Sequence, residues 1–123
     1  MSVWSSGFRP FFLGAAAYAP LSLGLWLLAR NTGWPAYAAD GLWHGHELLF
    51  GFAAALVCAI LLTAIPSWTG AAEVRGAPLA VLAALWLAGR VAMNAAEWLP
   101  RPFVVILDCA LLPTLALMLF FTI

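Results

Sequence analysis

The stretch Trp43–Phe52, reading WHGHELLFGF, sets two imidazoles and a carboxylate (His44, His46, Glu47) at the mouth of an apolar run that continues to Ile65. A segment that only had to cross a bilayer would exclude such groups, because ionisable side chains inside a membrane are costly. Neutral imidazole ligates haem iron, copper or zinc, and a nearby carboxylate can hold a ligating ring in one tautomer. On an ideal helix His44 and His46 lie about 200° apart, so they do not face one point. His44 and Glu47, at i and i+3, share a face, and His46 shares its own with Leu49 and Phe50. One histidine is therefore expected to point inward and the other towards the loop or a second site. The competing reading is that both are plain interfacial histidines at a helix start.

A second set of polar groups lies further along. At about 100° per residue, Asn94 and Glu97 fall within about 40° of Arg90 on either side. The three make one narrow polar stripe, while Leu85, Trp86, Val91 and Met93 are left for lipid or packed neighbours. Arg90 alone on a lipid face would cost roughly 2.5–3.5 kcal/mol on insertion scales. Asp108 sits at a matching depth in the next apolar run, so an Arg90–Asp108 pair is expected in which each offsets the other's desolvation. Arg90, Asn94, Glu97 and Asp108 thus form a predicted polar cluster. It either latches helices together or lines a hydrated pocket able to orient a bound anion such as a propionate.

The elements that must carry these groups follow from composition. Hydrophobic residues make up 66% of the chain and charged residues 8%, against roughly 25% charged in a soluble domain. The solvent for such a chain is mostly lipid. Net charge is zero and lysine is absent, which leaves no basic footprint for nucleic acid. Cys58 and Cys109 sit in apolar runs without zinc spacing and read as small hydrophobes. Met93 and Met118 are too scattered for a copper stripe.

The pattern predicts an all-α polytopic membrane protein, a single domain over 1–123. It is a bundle of four transmembrane helices at about 11–29, 42–65, 78–98 and 102–123, each close to the roughly 20 residues that cross the hydrocarbon. Phe11–Ala29 is longer than the apolar core of a signal peptide, about 7–15 residues, and reads as a span with a kink at Pro20. Gly7–Phe12, GFRPFF, puts Arg9 at headgroup level with Phe8, Phe11 and Phe12 in the interface. Trp34, Tyr37, Trp43 and Trp68 read as interfacial anchors. Pro66 closes the second span and SWTG (67–70) turns the chain. Pro78 opens the third span, and LPRP (99–102) turns the chain into the fourth. With antiparallel spans, His44, His46, Glu47, Arg90, Asn94, Glu97 and Asp108 all gather in the leaflet opposite the N-terminus. Arg9 and Arg75 lie on one side and Arg30 and Arg101 on the other, so the positive-inside rule does not decide orientation. An even number of spans favours the N-terminal side as cytoplasmic.

GFRPFF (7–12), WHGHELLFGF (43–52), LLTAIPSWTG (61–70) and LWLAGR (85–90) together resemble the NnrS family, in the family's order and spacing. The likeness covers Gly7–Arg90, with a continuation through Asp108, and corresponds to the N-terminal third of longer family chains. It implies a bacterial inner-membrane, multi-pass protein linked to nitric oxide stress and containing haem and/or copper. It makes His44 and His46 candidate haem or copper ligands, with Glu47 and Arg90 beside the cofactor. It places Arg9, Glu47, Trp68 and Arg90 in the family signature. The chain ends inside an apolar segment, so further transmembrane helices or self-association are expected to complete the site.

Two other readings use the same residues. In one, the chain is a structural or assembly subunit whose buried Arg, Asp and Asn only hold helices together. In the other, Glu97, Asp108 and His46 relay ions or protons. No motif commits the chain to enzymatic turnover.

Overall fold

The computed structural model describes residues 8–122, with the Phe8 side chain outside that description. The interfacial role expected of Gly7 and Phe8, and the last residue of the fourth span, Ile123, lie outside the described residues. Within them the chain is helical and has no strand. Three of the described helices are long and apolar enough to cross a membrane, and a pair bent by 40° brings the number to four if it is one span.

Helix α1 covers Phe8–Thr32 and runs through Pro20. It extends past the predicted Ala29 because Asn31 and Thr32 hold its last turn. Asn31 Nδ2 donates to the Leu27 carbonyl at 2.8 Å and Thr32 Oγ1 to Leu28 at 2.7 Å. Gly33 then takes a positive φ of 79° and ends the helix. A short 3₁₀ turn, Ala36–Ala39, leads into α2.

Helix α2, Gly41–Thr69, begins where Asp40 accepts a hydrogen bond from the Leu42 amide at 2.9 Å, an N-cap that satisfies an otherwise orphaned donor. Just after Glu47 it widens into a π-helical segment, Leu48–Ala53, before resuming α geometry at Ala54. The helix does not stop at Pro66. It continues through Ser67, Trp68 and Thr69, and Gly70, at φ 74°, closes it by donating to the Pro66 carbonyl at 2.9 Å. The expected SWTG turn is thus mostly the last turn of a helix, because the left-handed position goes to the only residue of the four without a Cβ.

Helix α3, Ala77–Asn94, ends four residues short of the predicted Trp98. Ala95–Trp98 forms a turn instead, with the Trp98 amide bonded to the Ala95 carbonyl at 3.0 Å. Pro100 biases the residue before it towards extended backbone, which pulls the helix end back from the LPRP turn.

The stretch predicted as the fourth span forms two helices, α4, Arg101–Cys109, and α5, Leu111–Thr122, bent by 40°. Pro113 is the cause: it has no N–H to offer the Cys109 carbonyl four residues back, and its ring crowds that carbonyl. Restarting at Leu111 puts Pro113 in the first turn of a new helix, where no intrahelical donor is needed.

The apolar core fills the half of the bundle that holds the N-terminus of α1. Phe11 and Ala15 meet Cys58 and Leu62 of α2, Leu79 and Leu82 of α3, and Leu115 of α5. Ala54, Ala55 and Ala59 on α2 are buried, and such small residues let membrane helices approach closely. A smaller aromatic cluster of Trp26, Tyr37 and Trp43 lies at the opposite end. Trp34 and Trp68 are exposed, at 72% and 77%. Tyr37 and Trp43 are not: Trp43 is buried and Tyr37 stands edge-on against it. Those two expected anchors pack inside the bundle because the 3₁₀ turn folds back onto α1 and α2.

Candidate functional site

Glu47, Arg90, His46 and Asp108 close into a ring. Arg90 Nη1 donates to Glu47 Oε2 at 2.5 Å, and Arg90 Nη2 donates to Asp108 Oδ1. His46 bridges the same two carboxylates, Nδ1 to Glu47 Oε2 at 2.7 Å and Nε2 to Asp108 Oδ2 at 2.6 Å. Tyr18 adds a fifth contact, its hydroxyl donating to Glu47 Oε1 at 2.5 Å. Glu47 is 0% exposed and Arg90 4%. Helices α2, α3 and α4 contribute to the ring itself and α1 supplies Tyr18.

The sequence-level pairing of Arg90 with Asp108 is present, and both belong to a larger network than a latch of two helices. A carboxylate faces each nitrogen of His46 and each terminal nitrogen of Arg90. Burial of the charges is tolerable because the Arg90 cation is paired with both acids, since unpaired ions in low dielectric cost several kcal/mol each.

The partner of Glu47 is His46, not the i+3 neighbour His44 with which it was expected to share a face. Glu47 reaches back over a single residue because Arg90 and Tyr18 draw its carboxylate inward. His46 stacks on Phe50, with centroids 4.4 Å apart and planes 15° from parallel, on the face the sequence assigned to it. His44 turns the other way and stacks on Trp26 of α1, with centroids 4.4 Å apart and planes 10° from parallel. Its Nδ1 is buried without a hydrogen-bond partner, as are the indole nitrogens of Trp26 and Trp43. Three buried ring nitrogens at this end of the bundle are therefore unpaired, each at a desolvation cost of about 1–3 kcal/mol.

Of the remaining predicted residues, Asn94 sits at the edge of the network. Its Nδ2 donates to the Arg90 carbonyl at 2.8 Å, and its Oδ1 accepts from the Tyr37 hydroxyl at 3.0 Å. Burial, then the Glu47 and Glu97 carboxylates, push the Tyr37 phenol above its usual range, so it stays a donor. Glu97 is outside the cluster. Because α3 ends at Asn94, the stripe geometry does not extend to Glu97, which is exposed. Arg9 and Trp68, from the motif blocks, lie at the other end of the bundle, where Phe12 and Trp68 line one groove.

Four positions to which the sequence reading gave no part in the site set the geometry. Tyr18 is one. Gly51 is another: a Cβ there would lie 2.5 Å from the Tyr18 ring, so only glycine lets α1 and α2 close with Tyr18 between them. Trp86 pins the same point by donating from its indole to the Gly51 carbonyl at 2.9 Å. Gly89 is the last: its missing Cβ would stand 3.1 Å from the Leu107 carbonyl, so α3 and α4 approach where Arg90 meets Asp108. The signals available were the glycine before Arg90 and the glycine inside LLFGF, both within the motif blocks.

Two openings reach the network. A cleft of about 490 Å³ on the His46 side is lined by His46, Asp108, Arg101 and Met93. A groove of about 500 Å³ on the α1/α3 flank is apolar along its walls, with Tyr18, Arg90 and Asn94 among its lining residues.

A metal bound by several protein ligands does not fit this arrangement. Among the described residues no group of three His, Cys, Asp or Glu side chains could hold a metal ion, and both His46 nitrogens are occupied by carboxylates. A cofactor needing one imidazole fits better, since His44 Nδ1 is buried and unclaimed.

A family model described as NnrS protein matches residues 2–123. The match extends beyond Arg90, where the motif blocks end, through Asp108 and along the rest of the fourth span. No curated protein matches the chain, and no solved structure does.

Proposed function

The chain belongs to the NnrS family, and from that premise we propose that it is a bacterial inner-membrane protein that binds haem through His44 and contributes to nitric oxide resistance. The family is linked to nitric oxide responses and known for haem and copper binding, and three apolar helices plus a bent pair suit a bilayer. The observation that carries the assignment to His44 is its unpartnered, buried Nδ1, beside two indole nitrogens in the same condition. Bound haem would supply an iron at which nitric oxide can bind. The chain's own contribution is to orient the His44 ring by stacking it on Trp26 and to offer indole donors to polar groups nearby. In this reading His46 is not a ligand. It belongs to the hydrogen-bonded ring that fixes the relative positions of α2, α3 and α4, and so holds His44 at the correct depth. Copper is not favoured, for want of a multi-ligand set.

The test is an absorbance spectrum of the purified protein reconstituted with haem, together with metal analysis. A Soret band that disappears in His44→Ala and persists in folded His46→Gln is expected. A band lost only on changing His46, or no haem uptake by folded protein, would overturn the assignment.

The ring itself also supports a second role, as interhelical glue. Every hydrogen bond it makes is internal to the bundle, which is what a structural subunit would require of it.

A further inference from the structure

We propose that the groove between α1 and α3 binds a neutral, lipid-soluble molecule through a carbonyl-type acceptor oxygen, which takes its hydrogen bond from Arg90 Nε. The proposal is independent of haem binding. It starts from an unused donor. Arg90 is 4% exposed, its two terminal nitrogens are committed to Glu47 and Asp108, and its Nε is buried with no partner. Buried guanidinium donors are ordinarily all satisfied, and one left unmade is costly. Arg90 lines the groove, together with Tyr18 and Asn94.

The rest of the groove describes the ligand. Gly14, Ala17, Leu21, Leu87 and Val91 give walls without charge, and Leu21, Leu87 and Val91 are exposed on the outside of the bundle at 65%, 56% and 59%. In a bilayer that flank meets acyl chains, so the ligand arrives from lipid. The volume, about 500 Å³, lies within the range of small-molecule sites, roughly 300–1,000 Å³.

Charge decides between a neutral acceptor and an anion. Two carboxylates, Glu47 and Asp108, already sit on the Arg90 guanidinium. A carboxylate at Nε would be a third acid on one cation in low dielectric. A ketone, ester or quinone-type oxygen satisfies the donor without that penalty.

The experiment uses the full chain in phosphatidylcholine nanodiscs, with 2-undecanone carrying a diazirine on its alkyl chain as photoprobe and peptide mass spectrometry as readout. Labels are expected on Leu21, Leu87 or Val91, suppressed by excess 2-undecanone but not by undecane, nor by undecanoate at alkaline pH. Ala17→Phe fills the groove without touching the polar ring and should abolish labelling at unchanged thermal stability. Arg90→Lys keeps the charge but removes the Nε–H, and should weaken labelling about tenfold, the loss of one charge-assisted hydrogen bond. The ketone–alkane contrast and Ala17→Phe carry the test if Arg90→Lys does not fold. Equal competition by undecane, stronger competition by undecanoate, labelling indifferent to Ala17→Phe, or groove cross-links only between two copies of the chain would each overturn the proposal.

Discussion

Two histidines separated by one glycine live in opposite environments. Around His46 nearly every polar atom is engaged: both ring nitrogens, both Glu47 oxygens and both Asp108 oxygens have partners. Around His44 the ring nitrogen and two indole nitrogens are buried with none. The first region resembles a finished interior and the second an interior awaiting something. The contrast separates two demands that the motif WHGHE makes at once. A membrane bundle has little hydrophobic force to set the register of its helices, since lipid is as apolar as leucine, so a directional ionic network is an efficient way to fix them. In the proposed reading His44 is a binding position and must keep its hydrogen-bonding capacity free, and two residues about 200° apart on one helix serve both demands.

The sharpest way to break the comparison is to unbalance the finished region. Arg90→Met leaves Glu47 and Asp108 sharing only His46, and removing one partner of a buried ionic network typically costs about 3–5 kcal/mol. Little folded protein should survive in detergent, as read by circular dichroism on heating. Replacing the whole ring with apolar residues (Glu47→Leu, Arg90→Met, Asp108→Leu, His46→Phe) should recover much of that loss, because buried ion networks are often no more stable than packed hydrocarbon. If the fourfold variant is less stable than Arg90→Met alone, the ring stabilises in its own right rather than by avoiding unpaired charge.

Smaller perturbations test how the ring is positioned. Gly51→Ala forces a methyl to 2.5 Å from the Tyr18 ring, an overpacking worth about 1–3 kcal/mol. It should move the Tyr18 hydroxyl off Glu47. Tyr18→Phe leaves Glu47 Oε1 unsatisfied with the packing intact and should cost about 1–3 kcal/mol. A double-mutant cycle between Gly51 and Tyr18 should be strongly non-additive, and additive losses would place the two in unrelated contacts. Tyr37→Phe removes only the half-buried bond to Asn94 Oδ1 and should cost about 0.5–1.5 kcal/mol in the same melt.

What the sequence made legible follows the same division. Depth was readable, because counting along antiparallel helices needs only the rise per residue, and it put Arg90 opposite Asp108. Azimuth was readable where the helix is regular, as for Arg90 and Asn94. It failed where the helix is not. The stripe containing Glu97 assumed helix to Trp98, but Pro100 acts backwards through Leu99 and α3 stops at Asn94. Neither the π segment after Glu47 nor the break at Ala110 leaves a periodic trace, and of the two only the break has a local sequence cause, Pro113. Tyr18 was invisible for a different reason: a tyrosine in an apolar helix signals nothing until Gly51 is seen to admit it.

The finest test acts on the unfinished region. Trp26→Phe keeps a ring for His44 to stack on and deletes one of the unpartnered indole donors. In haem-free protein the change removes an unmet hydrogen-bonding demand, which offsets the small loss of apolar area, so stability should shift by no more than about 0.5 kcal/mol in either direction. If a ligand satisfies that donor, the same change should weaken haem uptake severalfold while leaving the melt alone. Titration of haem into wild-type and Trp26→Phe protein, followed by the Soret band, reads the difference directly. A large loss of stability without ligand would mean the indole nitrogen is already satisfied in the folded protein, and the asymmetry between the two histidines would then be one of packing rather than of hydrogen-bonding capacity.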